Sequence, residues 1–99
     1  MRSKMLLTYN ILPAAQEEYM RFMMNVFMPT LKRLGLEEMG VWWTAYGDYP
    51  NRLLAFVADE PEMRAALNDD RWKQVEARLE QYVTDYTRRI VPFKPGFQF

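Results

Sequence analysis

The chain has 99 residues, of which 49% are apolar and 26% charged, so it is a single globular domain with one core and not a disordered segment. Thirteen Lys and Arg balance thirteen Asp and Glu at a sequence pI near 6.3, which removes the electrostatic case for nucleic acid or an anionic membrane as partner. With no cysteine and no histidine, disulfides, thiolate chemistry, a Ser-His-Asp triad, a His-ligated zinc and a His-ligated haem are all impossible.

The first strand is expected from Met5 to Leu12, stopped by Pro13, which has no N–H for a ladder. Tyr19, Phe22, Met23, Val26 and Phe27 then repeat at helical spacing, and Leu31 and Leu34 continue the stripe. Pro29 lies inside it and clashes with the carbonyl of Asn25, so a kink or break at Met28-Pro29 and a stop at Gly35 are expected. Residues 36–46 hold the β-formers Val41, Trp42, Trp43, Thr44 and Tyr46 and read as a second strand. Gly47 to Asn51 is turn chemistry, giving a loop of about five residues before a third strand from Arg52 to Ala58.

Asp59-Glu60-Pro61-Glu62 is a helix start, with an acidic cap and proline in the first turn. Asn68-Asp69-Asp70 looks like a second cap that divides a short helix, 61–67, from a longer one. In the longer helix Asp70 is the expected cap, and Trp72, Val75, Leu79, Tyr82, Val83 and Tyr86 form the apolar stripe, opposed by Lys73, Glu76 and Glu80. A last strand is expected around Arg88 to Phe93, with Pro92 marking an edge or an end, followed by a tail with Phe97 and Phe99. The order β-α-β-β-α-β is the ferredoxin-like α+β plan, a four-stranded antiparallel sheet with helices on one face. All of 1–99 then belongs to one domain, with 93–99 as a C-terminal tail.

Such a sheet should carry polar residues on its open face. Pairing Tyr46 with Asn51 instead puts Met39, Val41, Trp43, Leu54, Phe56 and Ala58 on one side and Trp42, Thr44, Tyr46, Leu53, Ala55 and Val57 on the other. Both sides are mostly apolar. A homodimer that buries the open faces against each other satisfies that pattern, and a C-terminal tail folded over its own sheet is the alternative.

The same segments resemble the dimeric α/β-barrel superfamily, and within it the antibiotic-biosynthesis-monooxygenase and NIPSNAP-type small domains. The resemblance rests on Tyr19 to Leu36, a helix with an internal proline ending in Gly35-Leu36, and on Asn68 to Tyr82, with Trp72 opening the last helix. It implies a sheet-to-sheet dimer and admits cofactor-free oxygenation. Asn10, at the end of the first strand, resembles a feature of the haem-degrading branch, but that branch needs an iron-ligating His, so haem degradation and metal-dependent activity are not expected.

Three readings of function compete, and one of them, RNA recognition, fails on both stacking platform and charge. The first is a pocket between helices and sheet lined by Phe22, Trp43, Phe56, Trp72 and Tyr86, with Tyr9, Asn10 and Arg88 as its polar groups, holding a small aromatic ligand. Cofactor-independent monooxygenation there would need a carboxylate such as Asp85, or an ordered water, as base. Met20, Met23, Met24 and Met28 suit an adaptable site as well as a core. The second is RNA recognition, since Arg52, Ala55, Phe56 and Val57 match part of a known strand signature. It lacks the glycine and two of three aromatics, and the base-stacking platform with them. The third is a non-enzymatic dimeric interaction module. Arg88 and Arg89 must face opposite sides of the last strand, so one is directed inward and needs a carboxylate partner. No cofactor, metal, nucleic acid or membrane partner is expected. With no targeting segment or apolar run of about 20 residues, the expected location is the cytoplasm.

Overall fold

The structure, a computed structural model, describes residues 1–46 and 49–93, with the side chains of 43–46 and 49–51 left aside. Four antiparallel strands, β1 (Arg2–Ile11), β2 (Glu37–Tyr46), β3 (Tyr49–Asp59) and β4 (Val83–Phe93), lie in the order β2-β3-β1-β4. Helices α1 (Gln16–Phe22) and α2 (Met28–Arg33) follow β1, and α3 (Glu60–Asn68) and α4 (Asp70–Leu79) follow β3. The fold is the ferredoxin-like α+β arrangement. No helix among the described residues is long and apolar enough to cross a membrane.

Pro29 neither breaks nor visibly ends the first helix. The turn before it, Met23–Phe27, widens to a π-helix in which the Met28 N–H donates to the Met23 carbonyl. Widening moves the Asn25 carbonyl out of the proline ring's way while the apolar stripe stays continuous. The helix ends at Gly35, in the left-handed region at φ +89°. The Leu36 N–H donates to the Leu31 carbonyl and the Gly35 N–H to the Lys32 carbonyl, both at 3.0 Å. These two bonds make a Schellman cap.

The hairpin is tighter than its turn residues suggest. Tyr46 pairs with Tyr49, not Asn51, and Asn51 pairs with Thr44, leaving only residues 47–48 between the strands. Tyr49 and Pro50 extend beyond Asn51, the last β3 residue paired with β1, so the proline costs the sheet no bond on that side. The shift is two residues, and an even shift preserves which face each side chain takes. Leu54, Phe56 and Ala58 therefore meet the helices with Met5, Leu7, Tyr9 and Ile11 of β1, while Leu53, Ala55 and Val57 face away. A bulge between Glu38 and Gly40 leaves Met39 without a partner.

Two boundaries near the second helix pair differ from expectation. The cap of α4 is Asp69, whose carboxylate accepts the Arg71 N–H at 2.8 Å, and Asp70 is the first helical residue. The helix stops at Leu79, a turn closes with the Tyr82 N–H on the Leu79 carbonyl, and β4 begins at Val83. Tyr82, Val83 and Tyr86 thus leave the helix. They face the same core from turn and strand, and so imitate a helical stripe. The tail residues 94–99, including Phe97 and Phe99, lie outside the described residues.

Candidate functional site

The core between helices and sheet is closed. Phe22, Phe56 and Trp72 are each 1–2% exposed, with Phe22 edge-on to Phe27 and Phe27 edge-on to Trp72. Polar groups run through this layer as a seam. The Tyr9 hydroxyl of β1 and the Tyr19 hydroxyl of α1 are 2.6 Å apart. Tyr86 of β4 lies against Tyr9, ring centroids 6.3 Å apart, and its hydroxyl donates to Glu76 Oε2 at 2.6 Å. The same carboxylate oxygen receives Arg88 Nε at 3.1 Å, and the guanidinium lies over the Trp72 ring. Arg88 is therefore the inward member of the Arg88-Arg89 pair, and Glu76, expected on the solvent side of its helix, is its partner.

Burial sets the electrostatics of the seam. It pushes the Tyr9 phenol far above its ordinary range, with Tyr19 and the bond between them adding to the shift. The Tyr19 phenol is raised by burial too, against the lowering effects of the Tyr9 bond and the Arg52 charge. Burial also raises Tyr86, and the bond to the Glu76 carboxylate and its charge push in the same direction. All three are neutral hydroxyls able to donate at neutral pH.

The eight residues expected to line one pocket do not share one space. Tyr9, Tyr86, Arg88 and Trp72 meet in the seam, and Phe22 joins the core beside them. Asn10 takes the opposite face, where its Nδ2 donates to Asp85 Oδ2 at 3.2 Å and its Oδ1 is buried without a partner. Asp85 sits in the β4 bulge at φ +56°, exposed and away from the seam. Trp43 belongs to β2, and its side chain lies outside the described ones. Phe56, of the eight, borders a sizeable opening.

That opening is a groove of about 760 Å³ between α2 and β2. Met24, Met28, Pro29, Leu36 and Phe56 form its apolar wall, with Lys32, Glu37 and Glu38 among its polar groups. The π turn and Pro29 lead the helix along one side of the groove, and past the Gly35 cap Leu36 and Glu38 line it together with Met28 and Lys32. Glu37 is engaged by Arg2 Nη2 at 3.3 Å, whereas Lys32 and Glu38 have no ion pair among the described residues. A second, smaller groove of about 340 Å³ lies by Met63 and Ile90. Among the described residues no three potential ligands gather closely enough to hold a metal ion. Neither Lys32 nor Glu38 was readable as a site residue, because each looks like ordinary solvated charge in the sequence.

No family model and no curated protein matches this chain. Solved structures do. A NIPSNAP family protein from Agrobacterium tumefaciens superposes with a TM-score of 0.69 at 14% identity, covering 97% of this chain and 96% of that one. The chain has their ferredoxin-like fold. A conserved protein from Methanosarcina mazei reaches 0.72 at 18% identity over 95% and 94% of the two chains. A candidate antibiotic biosynthesis monooxygenase from Chloroflexus aurantiacus reaches 0.64 at 9% identity over 99% and 98%. Similarity at these identities extends to the NIPSNAP-type fold and carries no reaction with it.

Proposed function

We propose that this chain is a small-molecule-binding protein that works as a homodimer and holds an aromatic ligand in the groove between α2 and β2. The observation that carries the reading is the groove itself, about 760 Å³ of mostly apolar wall with two uncommitted charges. Binding sites for small organic molecules fall in the range of about 300–1,000 Å³ and combine apolar lining with a few polar groups. Methionine sulfurs favour aromatic rings, and flexible methionines adapt to ligand shape. Lys32 suits a phenolic or carbonyl oxygen, and Glu38 a hydroxyl proton.

Cofactor-independent monooxygenation is the sharper form of this reading. A carboxylate that takes a phenolic proton beside an ammonium that holds the phenolate is what deprotonation of an electron-rich aromatic requires. Glu38, not Asp85, is then the base. The sheet supports the dimer: Leu6, Leu53 and Val91 are only half-buried on the open face, and Trp42 lies across it, 39% exposed. The Trp42 ring covers Gly40, where any added Cβ would meet it at 2.7 Å. A non-enzymatic dimeric module is the second reading, favoured by the closed aromatic core.

Titration with 1-naphthol tests the proposal. Saturable binding at one site per chain, weakened in Lys32→Gln and lost in Met28→Asp, is expected. Failure of 1-naphthol and related hydroxylated aromatics to bind points to the interaction module instead. Oxygen uptake in the presence of a bound quinol separates catalysis from binding.

A further inference from the structure

We infer that Arg52, Tyr9 and Tyr19 form a binding site for a small organic carboxylate, separate from the α2–β2 groove. Arg52 is the cross-strand partner of Tyr9 on the helix-facing side of the sheet, which brings the two side chains together. Tyr9 in turn touches Tyr19 through their hydroxyls at 2.6 Å. Whichever phenol donates, the other keeps a proton that meets no acceptor among the described residues. Both phenols are almost wholly buried.

Arg52 adds more donors. Its Nε is buried with no hydrogen-bond partner, and its guanidinium has no ion pair among the described residues. Buried donors in folded proteins are almost always satisfied. The carboxylate that shares this layer, Glu76, is already taken by Tyr86 and Arg88. A positive fork and a spare phenolic proton, with no acceptor supplied by the described chain, have a definite complement: a planar anion with two oxygens. Arginine binds a carboxylate through both oxygens, and a neutral phenol adds a third bond. Arg52 is half-exposed, so the anion can arrive from solvent at the guanidinium. Phe56, on the wall of the groove, is four residues further along β3, about 13 Å away at strand spacing. The two sites do not overlap.

Sodium benzoate is the probe, with benzamide as its neutral counterpart, titrated calorimetrically into the whole chain while the side-chain N–H signals of 15N-arginine are followed. The expected result is saturable benzoate binding that shifts the Arg52 Nε–H signal, with benzamide at least about ten-fold weaker. Arg52→Gln should weaken benzoate by about ten-fold or more, and Tyr19→Phe by about three- to ten-fold. Circular dichroism checks that each variant folds, and Tyr19→Phe keeps the test open if Arg52→Gln does not. Lys32→Gln should leave benzoate binding unchanged. The inference is overturned if benzoate does not bind, if benzamide binds equally well, or if binding is undiminished in Arg52→Gln and Tyr19→Phe; loss in Lys32→Gln would move the benzoate to the α2–β2 groove and overturn it too.

Discussion

Glu76 shows how one side chain can tie two elements together. From α4 it accepts the Tyr86 hydroxyl and Arg88 Nε, both on β4, so helix and strand share a single carboxylate oxygen. Removing it in Glu76→Ala strands a partly buried phenol and a partly buried guanidinium, and should lower urea stability by about 2 kcal/mol. Trp72, beside that guanidinium, fills the core, and Trp72→Ala should cost about 3–5 kcal/mol in the same measurement. The sequence shows that one of Arg88 and Arg89 needs an inward partner, because strand alternation demands it. It hides which carboxylate answers, since Glu76 sits in a run of charges that looks solvated. Tyr19 is hidden differently: its helical spacing marks it as core and says nothing of the hydroxyl.

These residues also set the response to pH. Tyr9, Tyr19 and Tyr86 have folded-state values raised above the unfolded ones, so their contribution is full below about pH 10 and is lost as pH rises further. Phenolate absorbance should therefore show Tyr9, Tyr19 and Tyr86 ionising only as the protein unfolds at high pH. Asp69 has the opposite sign. Its side-chain bonds to Arg71 and the Arg71 N–H hold it down at about 2. Its contribution is present above the ordinary carboxylate value and is lost as pH falls toward about 2. Denaturation curves between pH 5 and 2 should fall more steeply for wild type than for Asp69→Asn, which keeps a capping oxygen without the titration.

At the scale of elements, the strands and helices were legible because each has its own period and its own stop signal. Pro13, Gly35 and Pro61 mark boundaries that the structure shares. What escaped was how the chain accommodates conflict. A proline in a continuous apolar stripe implies a kink or a break, and the chain instead stays helical past it through a π turn one step earlier. Tyr82, Val83 and Tyr86 satisfy helical spacing from a turn and a strand because both face the same core. Gly35 admits no side chain easily. Its left-handed φ of +89° and the Glu62 Oε2 waiting 3.3 Å from an added Cβ penalise any side chain. Gly35→Ala should destabilise the fold by about 1–2 kcal/mol in urea. It should also weaken 1-naphthol, since the same cap places Leu36 on the groove wall.

Across the whole molecule, the open face of the sheet is the surface that the proposed homodimer would cover. One face is closed by the helices, and the other presents Trp42 with half-buried Leu6, Leu53 and Val91. Light scattering at micromolar concentration should return a dimer mass, and Leu53→Glu, which puts a charge at the centre of that face, should return a monomer. The candidate pocket was legible only in kind. Apolar lining with a few polar groups was anticipated, but Phe22, Trp72 and Tyr86 pack into or against the core, and the space lies beside Phe56, Met24 and Met28. The central claim is that this groove binds an aromatic ligand, and the eight methionines report on it directly. With 13C-labelled methionine methyl groups, 1-naphthol should shift the Met24 and Met28 signals and leave Met63, at the smaller groove, where it was. Shifts at Met63 with Met24 and Met28 unmoved, or no shift at any methionine, would contradict it.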